Sequence, residues 1–224
     1  MKQKELIELV KQHHSRMGIT EIRARLNRAQ NDFCARTELM KKTYIQNTVA
    51  GQRYYTLDSD ILKILKVQLD DIIIPRLIGD PIIDDDEWDG EDGRTDGNKG
   101  SDKYYWYISN DRVGVVEYIS EGLTVDNNTT YYQSVSTTDK ELRLFTISQA
   151  ADFSTDLTAE SELPIQFREG LAMRVIADGY LKGDSLDPKL HDIFMGRYER
   201  MIKDGKKHAR SNYQTTGVIR PQDY

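Results

Sequence analysis

One cysteine, five prolines and no long apolar run already exclude much for this 224-residue chain. Cys34 alone rules out an internal disulfide and any cysteine-based zinc finger. It falls in a helical pattern beside Phe33, where a free thiol packs as a small apolar side chain. No stretch approaches the ~20 apolar residues of a membrane span. The N-terminal MKQKELIELVKQHH alternates charge with apolar residues and has neither a secretory core nor a cleavage site, so the chain is expected to stay in the cytoplasm where it is made. Catalytic signatures are missing as well: GxSxG, GxxxxGK[ST] and the Rossmann glycines do not occur. His13, His14, His191 and His208 fall on predicted helices, and none stands in an HExxH or HxH spacing. The chain is therefore expected to be no enzyme, with no cofactor and no metal. A net charge of -6 argues against coating nucleic acid with the whole surface, though not against a local basic patch.

What is present is a soluble composition with a modest core: 38% hydrophobic, 30% charged, mean hydropathy -0.65. The length allows one large domain or a domain carrying an insertion. Leu6, Val10, His13 and Met17 line one face of a first helix that Gly18 ends. Thr20 offers an N-cap for a second, with Ile22, Leu26, Ala29 and Phe33 as its stripe, running to about Leu39 or Met40. The period then changes. Residues 43–49 and 53–57 read as two strands of a hairpin around Ala50-Gly51-Gln52. Residues 61–69 and 72–74 flank a tight turn at Asp70-Asp71, and 104–108 and 113–116 flank another at Asn110-Asp111. Further strands are expected at 130–135 and 142–147. Pro164 opens a third helix along Phe167, Leu171, Val175 or Ile176, and Tyr180, with Gly183 as its end. Asp187-Pro188 opens the last, on Leu190, Ile193, Phe194, Arg197, Tyr198, Met201 and Ile202.

The order is helix-helix, β region, helix-helix, extended tail. It reads as an α+β fold: a helical bundle formed by N- and C-terminal helix pairs, with an inserted antiparallel β domain. The expected boundaries are 1–41 and 161–210 for the helix pairs, 42–160 for the β domain with a flexible acidic loop at 84–103, and 211–224 for the tail.

Three features could carry a function. In the acidic loop, Asp85, Glu87, Asp89, Gly90 and Asp96 take positions 1, 3, 5, 6 and 12 of an EF-hand-like calcium site. Against it, Asp96 reaches less far than a bidentate Glu, Asp92 stands where an apolar anchor belongs, and no amphipathic helices flank the loop. A solvated surface loop is the plainer reading, and a glycine-rich loop cannot hold two carboxyls at a glycosidase separation. On the last helix, Arg197, Arg200, Lys203, Lys206, Lys207 and Arg210 outnumber Glu199 and Asp204. Cations suit a helix C-terminus through its dipole; the functional alternative is contact with a phosphate backbone or an acidic partner. Finally, ordering the tail GVIRPQDY costs more than burying Val218, Ile219 and Tyr224 returns. It is expected to be loose until another subunit or partner supplies a groove or sheet edge.

Four segments, NRAQNDFCARTELMKKT, VAGQRYYTLDSDILKILKV, YYWYISNDRVGVVE and ELPIQFREGLAMRVIADGYLKGD, together with the tail, resemble the head-to-tail adaptor proteins of short-tailed and related bacteriophages. Leu57-Asp58-Ser59-Asp60 departs from the Leu-Pro-Ser-Asp expected there, and the loop at 89–103 looks like an insertion. The resemblance implies a structural virion protein of the neck. It would assemble as a ring, a dodecamer matching the portal, extend the DNA channel and give downstream tail or nozzle proteins a platform. It also implies that Val218, Ile219, Arg220, Pro221 and Tyr224 contact the portal or a neighbouring subunit. Arg197, Arg200, Lys203, Lys206 and Lys207 become candidates for charge contacts near the portal or, without sequence specificity, the channel DNA. The rivals are a virion-associated peptidoglycan hydrolase, a calcium-binding interaction module and a nucleic-acid-binding accessory protein.

Overall fold

A computed structural model of the chain describes residues 1–78, 104–124, 127–182 and 186–211; the acidic loop expected at 84–103 lies wholly outside them. The described residues form four helices, α1 (Gln3–His13), α2 (Ile19–Thr37), α3 (Ile165–Gly179) and α4 (Pro188–Ser211). They also form eight strands: β1 (Lys41–Asn47), β2 (Tyr54–Thr56), β3 (Ile61–Leu69), β4 (Ile72–Ile74), β5 (Tyr104–Ser109), β6 (Arg112–Thr124), β7 (Asn127–Ser134) and β8 (Glu141–Ser148). This is a mixed fold of helices and antiparallel sheet. Contacts divide it into two compact units, residues 1–41 with 147–224, and residues 42–146.

In the helical unit α3 is the centre, packed by α1, α2 and α4. Nine of its fifteen residues are buried, among them Phe167, Leu171, Val175 and Ile176. A helix apolar on nearly all sides has no solvent face to spare, which is why Val175 and Ile176 both turn inward. Leu6, Val10, Ile22, Leu26, Ala29 and Phe33 complete one continuous core, with Cys34 fully buried in it.

Several helix ends differ from the sequence reading. α1 stops at His13, a turn before Gly18, because His14 leaves the helix: its Nε2 lies 2.9 Å from the Ile176 carbonyl oxygen. His14 is buried there, whereas His13 is exposed and Met17 is only half-buried outside the helix. Gly18, not Thr20, is the N-cap of α2. That helix ends at Thr37, short of Leu39, since Glu38 takes the left-handed conformation (φ 52°). α3 ends at Gly179, ahead of the position expected for Gly183.

In the β unit one sheet has the order β1-β8-β3-β4; in the other, β6 pairs antiparallel with β2, β5 and β7. Its core joins Tyr55, Ile64, Val67, Trp106, Val113, Val115, Leu142 and Leu144. The two tight turns form where expected: Asp70 and Asp71 both take positive φ between β3 and β4, as does Asn110 between β5 and β6. The hairpin expected from residues 43–57 does not form. β1 and β2 belong to different sheets, and residues 48–53 cross between them. Along that crossing Thr48 N–H donates to the Lys140 carbonyl (2.9 Å), Gly51 N–H to Val135 (3.1 Å), and Val115 N–H to Arg53 (3.0 Å). The Gly51 turn (φ 76°) therefore redirects the chain instead of closing a ladder.

Candidate interaction surface

α4 holds the basic residues singled out from sequence. It starts where Asp187 Oδ1 accepts the Lys189 and Leu190 N–H groups at 3.0 and 3.1 Å, an aspartate cap followed by proline in the first turn. Phe194, Tyr198, Ile202, Gly205 and Ala209 then recur at helical spacing as the buried side. Ile193 and Arg197, expected on the inward face, are exposed. They lie about 100° round the axis from Phe194 and Tyr198, beyond the stripe the core can cover.

Two features fix this helix against α2. The Arg36 guanidinium grips Glu199 with two parallel bonds of 2.7 and 2.6 Å, the bidentate geometry that gives both strength and orientation. That hydrogen bonding holds the Glu199 carboxyl below its usual range and raises Arg36. Tyr198 is fully buried, and its hydroxyl donates to Asp32 Oδ2 at 2.8 Å; burial first, then the Asp32 bond, push its ionisation far above the ordinary phenol range. Lower down, Gly205 lets the backbones approach. A Cβ there would stand 2.9 Å from Thr37 Cγ2 and 3.0 Å from Phe33 Cζ.

With the inner side so fixed, the outer side faces solvent. Arg197, Arg200, Lys203, Lys206, Lys207 and Arg210 are all exposed. Arg200, Lys203, Lys207 and Arg210, spaced three, four and three residues apart, form a single stripe; Lys206 and Arg197 flank it. Arg197 also lies over the Phe194 ring at 5.4 Å, and Lys207 is 3.6 Å from Asp204. Such a face can attract an anionic surface, but it has no converging acid, base or nucleophile. Among the described residues no group of three His, Cys, Asp or Glu side chains could hold a metal, and no helix is long and apolar enough to cross a membrane. Val218, Ile219, Arg220, Pro221 and Tyr224 lie outside the described residues.

A second charged surface escaped the sequence reading. Residues 149–163 carry four carboxylates and no cation, and Asp152, Asp156, Glu160 and Glu162 are all exposed. Despite lacking helix or strand, the segment is anchored. Gln30 Nε2 donates to the Ala151 carbonyl (2.7 Å), Phe153 N–H donates to Asn27 (2.9 Å), and the Ser161 hydroxyl donates to Gln30 (2.6 Å). Phe153 and Leu163 are buried at either end. Acidic residues without periodicity give no signal in a sequence; the cue was a pair of amides on α2, the half-buried Asn27 and the buried Gln30.

The sequence matches the family model described as SU10 adaptor protein over residues 1–221. No curated protein matches the chain.

Proposed function

Because the chain belongs to the SU10 adaptor protein family, and so has the role of a phage structural adaptor, we propose that it acts in the virion neck as a ring beneath the portal. The ring, twelve copies in register with the portal, extends the DNA channel and offers a platform to the next tail component. The helical unit, working as a bundle, meets the portal, and the β unit meets the tail or nozzle protein. The mechanism is mechanical: a folded body supplies position, and a terminal segment supplies attachment.

The match over nearly the whole chain carries this reading. The described residues support it with a fixed helical core that displays charge outward. Val218, Ile219, Arg220, Pro221 and Tyr224 are the proposed anchors to the portal or to a neighbouring subunit, ordering only when a partner provides apolar cover. Arg197, Arg200, Lys203, Lys206 and Lys207 provide charge contacts within the assembly.

Removing residues 212–224 tests the proposal. The truncated chain should keep its helical circular dichroism and its melting temperature, yet no longer sediment with rings of the portal protein from the same phage. Undiminished co-sedimentation would remove the tail from the docking role.

A further inference from the structure

We propose that a groove in the β unit receives the segment Val218-Ile219-Arg220 of a neighbouring copy, so that each subunit of the ring holds the next by its tail. This rests on the ring reading above. Of the two contacts left open there for the tail, it assigns the neighbouring subunit.

The groove follows from two turns. The turn between β2 and β3 is closed by the Ile61 N–H donating to the Asp58 carbonyl at 3.0 Å. The turn at Asn110-Asp111 joins β5 to β6, and its Asp111 carbonyl accepts the Leu57 N–H at 3.2 Å. That second bond ties the turns to each other and fixes both sides of a hollow of about 640 Å³. Leu57 and Ile61, packed on the β core, and the buried Ile64 supply apolar lining. Leu62 and Ile108 line it too, yet in the single chain they remain 38% and 39% exposed. An apolar lining left open in this way is stabilised by cover from another molecule.

Charge on the rim narrows what can cover it. Asp58 and Asp111 are exposed, and neither side chain has an ion pair or hydrogen bond among the described residues. Lys63 is the one cation in the lining, so carboxylates outnumber cations two to one. At Asn110 and Asp111 the hollow adjoins a smaller one of about 400 Å³, whose lining includes Tyr54 and Arg112. Arg112 is exposed and likewise in no ion pair among the described residues. The chemistry of the surface therefore runs from apolar through acidic to basic.

The tail presents the complementary order. Arg220 is the sole cation of residues 212–224 and directly follows their one pair of aliphatic residues, Val218 and Ile219; Asp223, their sole carboxylate side chain, comes three positions later. Val218 and Ile219 fill the apolar hollow, the Arg220 guanidinium reaches Asp58 and Asp111 on its rim, and Asp223 lies toward Arg112. A guanidinium has enough donors to serve two carboxylates at once. Rim ion pairs are individually weak, so the apolar pair supplies most of the hold and the charges set register. One tail in one groove is a weak contact between free copies. It becomes effective once a portal ring gathers them at high local concentration.

Charge reversal on each side tests the pairing. One variant is Arg220→Glu, another is Asp58→Lys with Asp111→Lys, and a third combines all three substitutions. Each full-length chain is incubated with portal rings of the same phage, and bound copies are counted by native mass spectrometry. The first two variants set like charge against like and should each need about tenfold more chain to fill the ring. The third reverses both partners together and should recover wild-type filling, which also shows that the groove substitutions leave the fold intact. A cross-link that does not depend on the charge variants identifies whose tail is bound. Chains with Ser59→Cys and chains with Gln222→Cys are mixed on portal rings and treated with a short bismaleimide. The expected product is a covalent dimer of one chain of each kind, absent when either is treated alone.

Filling by either single-sided variant at the wild-type concentration would overturn the proposal. So would a loss that the combined variant does not recover, which leaves the portal as the partner of Arg220. Recovery without the mixed dimer would overturn it as well, by placing each tail in the groove of its own subunit. If the wild-type chain forms no ring on the portal, the ring reading itself fails and the proposal fails with it.

Discussion

Two glycines on α4 make opposed predictions from the same substitution. Gly196 is exposed, and a Cβ added there meets nothing within 4 Å. Gly196→Ala should therefore show only the helix-propensity gain, about 0.8–1 kcal/mol. Gly205 has the same gain available, but its new methyl would stand 2.9 Å from Thr37 Cγ2 and 3.0 Å from Phe33 Cζ. Neither neighbour can yield easily. The Thr37 hydroxyl is tied to the Phe33 carbonyl at 2.7 Å, which fixes its rotamer, and the Phe33 ring lies against Phe167 and Tyr198 at centroid distances of 5.5 and 6.3 Å. Overpacking of this kind costs about 1–3 kcal/mol. Subtracting the propensity gain leaves Gly205→Ala destabilised by roughly 1 kcal/mol, so the two variants should differ by about 2 kcal/mol. For a unit of this size that separates their melting temperatures by roughly 8 °C. Helical circular dichroism in a urea titration is the assay, since all four described helices belong to this unit. If Gly205→Ala raises the midpoint as much as Gly196→Ala does, the close approach of α4 to α2 is not a constraint, and the geometry that aims the basic stripe loses its support.

Two other predictions concern the polar contacts that hold the same helix. Tyr198→Phe removes the hydroxyl donor from Asp32 and should destabilise the helical unit by about 1.5 kcal/mol in the same titration, the low end for a bond to a charged group, because Arg36 remains 3.6 Å from Asp32. Glu199 ionises more readily folded than unfolded, so its contribution is complete above the ordinary carboxylate value of 4.5 and is lost as pH falls through the depressed folded value. The stability gap between wild type and Glu199→Gln should therefore be constant near neutrality and shrink below that value, and a gap that widens in acid would reverse the assignment.

Legibility in the sequence followed the range of the interaction. The Asp70-Asp71 turn could be read because its chemistry is local: short acidic side chains tolerate positive φ, and both residues adopt it. The inward positions Phe194, Tyr198 and Ile202 could be read because helical period alone sets them. Period could not set the width of that stripe, so Ile193 and Arg197 were placed inside when the space between α2 and α3 ends before reaching them. The false hairpin at residues 43–57 has the same origin. A turn of Ala50-Gly51-Gln52 between two β-rich runs permits a ladder, but the partners that outcompete it, Val135, Lys140 and Val115, lie 62 to 92 positions away.

The contact that matters most for the interaction surface was the least readable. Arg36 and Glu199 are 163 positions apart, and each alone is an ordinary charged residue on a helix face. Only when the two ends of the chain share a core does the pair exist, and only then does it become clear that Glu199 neutralises charge inward while Arg200, Lys203, Lys207 and Arg210 remain facing out. The acidic segment obeys the same logic. Its carboxylates look like a solvated linker until Asn27 and Gln30 fix the backbone to α2.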